Sequence, residues 1–176
     1  MKLSNTKRSI RSITTTAMLL ALLVAQEELL VFIPQVQLTV VLIIVFARYL
    51  TYKELIPLIL AYVFLDNMMM GSLNLLYSLP MFLSWPILGI VARTLRNKPD
   101  YVLFIWGILF AFIYSWMFIP VNMVVQSNFS VWTYFVLDLP WEIALAFNSA
   151  ATFLLFYKPL CSLFDTYYQR TEEFIF

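Results

Sequence analysis

Long apolar stretches alternate along this chain with short polar or basic breaks, and the period within each stretch suits helices. Six such stretches stand out, over about 12–33, 36–50, 54–70, 79–95, 101–119 and 139–158. Each is long enough, or nearly so, to cross a hydrocarbon layer about 30 Å thick. The second is short for that task, so the turn Pro34-Gln35-Val36-Gln37 before it is expected to dip into the protein. Prolines punctuate the pattern. Pro34 and Pro120 end spans one and five, Pro57 falls in the first turn of span three, and Pro86 should kink span four. Ser78 and Pro80 read as a cap and early-turn proline opening span four. Met68–Ser78 and Asn122–Leu137 read as outer connections, and the tail from Cys161 to Phe176 as a segment lying along the inner surface.

Charge orients this frame. All eleven Lys and Arg residues (Lys2, Lys7, Arg8, Arg11, Arg48, Lys53, Arg93, Arg96, Lys98, Lys158 and Arg170) fall on one side when six spans are laid out. Basic residues stay in the cytoplasm during insertion, so both termini are placed inside. The opposite side carries Glu27, Glu28, Asp66, Asp138 and Glu142 and no cation. The expected fold is an all-α membrane protein, one bundle of six transmembrane helices over residues 1–176. A removable secretory signal is disfavoured, because the first apolar stretch continues to Ile33 and bulky Leu23 stands where cleavage wants a small residue.

Composition narrows the chemistry. Of 176 residues, 62% are hydrophobic and only 12% charged, about half the charged share of a soluble domain. Three glycines and long aliphatic runs argue against an outer-membrane barrel. There is no His, which excludes Ser/His proteolysis, His-ligated zinc and bis-His haem. Cys161 is the single cysteine, so no internal disulfide can form. A net charge of +1 implies no nucleic-acid partner. No catalytic group, metal site or cofactor is expected, and no internal repeat is visible.

Several constellations could carry function. Ala17, Ala21 and Ala25 recur every four residues on one face of span one, where small side chains let another helix approach closely or pack within the bundle. Asp138, Trp141, Leu145, Asn148 and Thr152 share a face of span six, and polar groups there should face the interior or an outward cavity. That stripe serves either a ligand or inter-helix hydrogen bonding, and Trp132 and Trp141 also suit an interfacial belt. Asp66, Asn67, Asn74 and Tyr77 cluster at the outer end of spans three and four, with Tyr77, Met81 and Trp85 extending an aromatic wall. Glu27 and Glu28 end span one on the outer side, where one of the two is expected to meet water and Glu28 is the better placed to approach the Gln35–Gln37 turn. Asn128-Phe129-Ser130 matches a glycosylation sequon, a short pattern that carries little weight.

The span count, the Ala17/Ala21/Ala25 stripe, the segment Phe32-Ile-Pro-Gln-Val-Gln-Leu-Thr39, and Asp66-Asn-Met-Met-Met-Gly-Ser-Leu-Asn74 followed by Pro80 resemble energy-coupling factor (ECF) transporter S components. The resemblance implies a bacterial plasma-membrane protein that binds a vitamin-type micronutrient. It would dock on a membrane scaffold subunit and two cytoplasmic ATPases, then topple to deliver its cargo. It also implies that the alanine stripe is the scaffold contact. The pocket would lie in the outer half, where Gln35, Gln37, Trp141 and Asn148 fall. ATP hydrolysis would belong to the partners, in keeping with the lack of a nucleotide-binding glycine loop here. The acidic outer side favours a neutral or cationic compound, such as a thiamine-, pyrimidine- or pyridoxine-like ring or cobalamin. A stand-alone carrier, a membrane assembly subunit, or an S component for an anionic vitamin such as pantothenate are the alternatives.

Overall fold

The computed structural model describes residues 2–33, 36–69, 74–128 and 130–173. All regular structure among them is helical: α1 Lys2–Leu30, α2 Thr39–Tyr49, α3 Tyr52–Met69, α4 Leu75–Leu95, α5 Asp100–Trp116, α6 Ile119–Val125 and α7 Val131–Glu173. Four stretches among the described residues are long and apolar enough to cross a membrane: Ser12–Leu30, Leu75–Leu95, Asp100–Val125 and Val131–Tyr167. The other two expected spans fall short for different reasons. α2 has 11 residues, about 16 Å of helix. α3 carries Lys53, Glu54 and Asp66 within 18 residues.

The core is built around α2. Every residue from Thr39 to Ala47 is buried, as expected of a helix that is apolar all round. α3, α4, α5 and α7 surround it with Leu55, Ile59, Tyr62, Leu88, Leu103, Phe110, Phe153 and Tyr157. Two glycines allow this closeness. A Cβ on Gly107 would lie 3.3 Å from Ile44, and one on Gly89 only 2.5 Å from Ile59. Small residues at helix contacts are what packing in lipid requires, since hydrophobic drive is absent there. The outer surfaces of the surrounding helices are apolar instead: Leu29, Leu75, Phe147 and Leu154 are all more than 70% exposed. Such a surface is at home against acyl chains and would aggregate in water.

At the end where the basic residues gather, the helices are tied by polar contacts. Arg48 lies 3.7 Å from Asp100 and donates to the Tyr157 hydroxyl at 3.1 Å. Tyr49 donates to Asp165 at 2.8 Å, and Arg93 donates to the carbonyls of Ala47 and Arg48, each at 3.1 Å. Ser12 hydrogen-bonds Glu54.

Several local expectations are corrected. α4 begins at Leu75, with Asn74 as its cap accepting from the Leu76 amide at 3.1 Å. Ser78 is a buried interior residue that donates to Asn67 at 2.6 Å, and Pro80 lies in the second turn. α3 starts two residues before Glu54, which moves Pro57 out of the first turn. Pro120 does not end a helix but opens α6, where its missing amide would be unpaired anyway. The connection expected over 122–137 shrinks to 126–130, because α7 starts at Val131 and runs through Pro140. Tertiary contacts hold this early start: Phe135 packs edge-on against Trp116 at 5.7 Å, and Tyr134 donates to the Ser115 carbonyl at 3.2 Å. The tail continues as helix through Pro159 to Glu173, anchored where Phe164 stacks on Tyr49 at 5.1 Å. Pro34 lies outside the described residues.

Candidate functional site: an acidic cleft between α5 and α7

Away from the basic end, polar side chains form three groups. The first joins α1, α2 and α3. Buried Gln26 donates to the Leu23 carbonyl, to Glu27 and to Thr39, and its oxygen accepts from the Leu38 amide at 2.8 Å. Thr39 and Tyr62 both donate to the same oxygen of Glu27, at 2.7 and 3.1 Å. A helix start needs partners for its free amides, and here a neighbouring helix supplies one for α2. The second group is Asn67 with Ser78, closed by the Asn67 amide donating to the Val63 carbonyl at 2.8 Å. Both groups are largely satisfied within themselves.

The third group lines open space. A cleft of about 180 Å³ lies between α5 and α7, walled by Tyr114, Ser115, Phe118, Tyr134, Asp138, Trp141, Glu142 and Leu145. A wider vestibule of about 450 Å³ shares Tyr134, Asp138 and Trp141 with it and extends to Gln126, Asn128, Ser130 and Thr133. Asp138 and Glu142 are one turn apart on α7, so both carboxylates point to the same side. Ser115 donates to Asp138, and the Tyr134 hydroxyl lies 3.5 Å from Ser115. Glu142 is only 3% exposed, and its Oε1 is buried without a hydrogen-bond partner. Tyr114 packs against Phe118 at 5.4 Å and Trp85 at 5.3 Å, giving the cleft an aromatic back wall.

The residues singled out from the sequence scatter around this cleft. Asp138 and Trp141 line it. Asn148 is buried, but its amide donates to the Gln37 carbonyl at 2.8 Å, clamping the segment before α2 onto α7. Thr152 in turn donates to the Asn148 carbonyl at 2.7 Å. Trp85 is buried in a cluster with Tyr62, Phe110 and Tyr114, outside the lining of both spaces. Asp66 and Asn67 are buried at the end of α3, Tyr77 is half-buried, and Asn74 and Glu28 are exposed. Gln35 lies outside the described residues. Ser115, Tyr114, Tyr134 and Glu142 were not singled out as site residues. Only the four-residue spacing of Asp138 and Glu142 could have flagged the last of them.

On α1, Ala17, Ala21 and Ala25 are all exposed, whereas Leu19, Leu23 and Gln26 on the opposite face are buried. The small-residue stripe is therefore turned away from the bundle. Among the described residues, no group of three or more acidic, His or Cys side chains is placed to hold a metal ion. Comparison with protein-family models, with curated proteins and with solved structures finds no match. Fold and site define an all-helical protein with several membrane-length apolar helices, an acidic cleft and an outward-facing small-residue face.

Proposed function

We propose that the chain is the substrate-binding S component of an ECF transporter, a six-span bacterial membrane protein that captures a micronutrient and performs no chemistry itself. The observation that carries this reading is the exposure of Ala17, Ala21 and Ala25, on the face of α1 opposite its buried residues Leu19, Leu23 and Gln26. Internal packing is the competing use of that stripe, and its exposure speaks against it. An exposed row of small residues on a membrane helix favours close approach by another helix. In this reading the partner is the scaffold subunit, carried with two cytoplasmic ATPases. α2 and α3 complete the six spans, sheltered by their neighbours. The basic end faces the cytoplasm, and the acidic cleft opens outward.

Replacing Ala21 by Leu tests the reading. Uptake in cells expressing the scaffold and ATPases should fall to background, and co-purification of those subunits should be lost. The isolated Ala21→Leu protein should keep its stability and ligand affinity, since the side chain is exposed. Uptake at the normal rate in this variant would remove the basis for the assignment. Transport by the purified chain alone, reconstituted without partners, would favour a stand-alone carrier.

A further inference from the structure

We infer that the α5–α7 cleft is a binding site for a small organic cation, held by Asp138 and Glu142 with its charged end at the floor of the vestibule. The assignment deepens the proposed function by naming the ligand class, and rests on that reading only for transport, not for binding.

The argument starts from an imbalance. Two carboxylates one turn apart face a narrow cleft among aromatic rings, and the cleft contains no basic side chain. Asp138 has a donor in Ser115. Ser115 and Trp116 of α5 reach the Glu142 carboxyl with their side chains, yet one of its oxygens, Oε1, is buried without a hydrogen-bond partner, in a residue almost fully buried. A buried acceptor left bare in this setting is costly, and native interiors rarely leave one so. A ligand with an N–H donor and positive charge would satisfy it and offset the repulsion between the two acids.

Size and wall chemistry select among cations. A space of about 180 Å³ is several times the roughly 30 Å³ share of a water molecule, far more than a bare metal ion fills. Two carboxylates with two hydroxyls also fall short of the oxygen cage of six or more that a calcium ion takes. The rings of Tyr114, Phe118, Tyr134 and Trp141 instead suit an alkylammonium or a protonated heterocycle, whose diffuse charge is attracted to π-faces. The adjoining vestibule, with Gln126, Asn128 and Thr133, leaves room for the neutral polar remainder of the ligand.

The test uses the purified full-length protein in detergent with three probes of one shape: benzylammonium, benzyl alcohol and benzoate. Binding is followed by the change in tryptophan fluorescence, Trp141 being the tryptophan that lines the cleft. Benzylammonium should bind saturably and at least about tenfold more tightly than either of the others, the step of one charge-assisted contact. Glu142→Gln and Asp138→Asn should each cost about tenfold in benzylammonium affinity and leave benzyl alcohol unchanged, with the thermal midpoint showing that both variants fold. Equal binding of benzylammonium and benzyl alcohol, tighter binding of benzoate, or unchanged affinity in both variants would each overturn the assignment. Because no scaffold subunit is present, failure here leaves the S-component reading standing. Loss of docking by Ala21→Leu, or its absence, leaves the cation site untouched.

Discussion

The two ends of this bundle handle polar groups in opposite ways. At the basic end, cations and acids meet across helices in partly exposed positions: Arg48 and Asp100, whose side chains are 40% and 47% exposed, and Tyr49 with Asp165. Each of these groups retains access to water, so each contact is replaceable. At the far end no cation is available, and all of the acids but the exposed Glu28 are buried or half-buried. Glu27 is surrounded by donors from Gln26, Thr39 and Tyr62. Glu142 is buried with one oxygen bare. The basic end therefore ties helices together at small energetic stakes, while the far end holds both the bundle's most interdependent network and its unmet demand for a donor.

The largest effect should come from Gln26→Leu. It leaves the Leu38 amide without its acceptor and withdraws a donor from Glu27 and Thr39, at about 1–3 kcal/mol for each orphaned group. A loss of roughly 2–4 kcal/mol is expected, read as a fall in the thermal midpoint in detergent. An unchanged midpoint would mean that the network is loosely held. The next effect has the opposite sign. Glu142→Met removes a buried carboxyl with one oxygen bare, and should stabilise the ligand-free protein by up to about 1 kcal/mol, the gain being offset by the lost contacts from Ser115 and Trp116. Destabilisation there by more than about 1 kcal/mol would show that Oε1 too is satisfied and would erase the contrast between the ends. The smallest belongs to the basic end. Arg48→Met should shift stability by less than about 1 kcal/mol, as for most exposed ion pairs. Tyr157 keeps Asp100 within 3.4 Å when the guanidinium is gone.

Much of this contrast was legible in the residues. The gathering of every Lys and Arg at one end needs only span order, and the shortness of α2 shows in the few residues between Gln37 and Arg48. The boundaries that failed did so through tertiary contact. Nothing local says that Tyr134 and Phe135 will find Ser115 and Trp116, yet that pairing starts α7 eight residues before the expected Leu139. Ser78 resembled a cap by type, but Asn67 claims its hydroxyl and Asn74 caps instead. Asp138 and Trp141 could be found because alternating three- and four-residue steps put them on one stripe with Leu145, Asn148 and Thr152. Ser115 could not, being a single polar residue in an apolar run whose side-chain partners lie 19 or more residues away; nor could Gln26, whose links to Leu38 and Thr39 cross 12 and 13 residues. Trp85 has the spacing of a wall residue, but Tyr62 and Phe110 enclose it.

The shortness of α2 also bears on how the chain enters a membrane. A nascent segment is held as a span when it offers about 17–25 apolar residues, and 11 do not suffice. α2 becomes an interior element through burial against α3, α4, α5 and α7, three of which emerge from the ribosome well after it. Its place is therefore settled late, by assembly and not by partitioning into lipid. A topology reporter fused just after Tyr49 in a truncated chain should report a different side from the same reporter placed there in the complete protein.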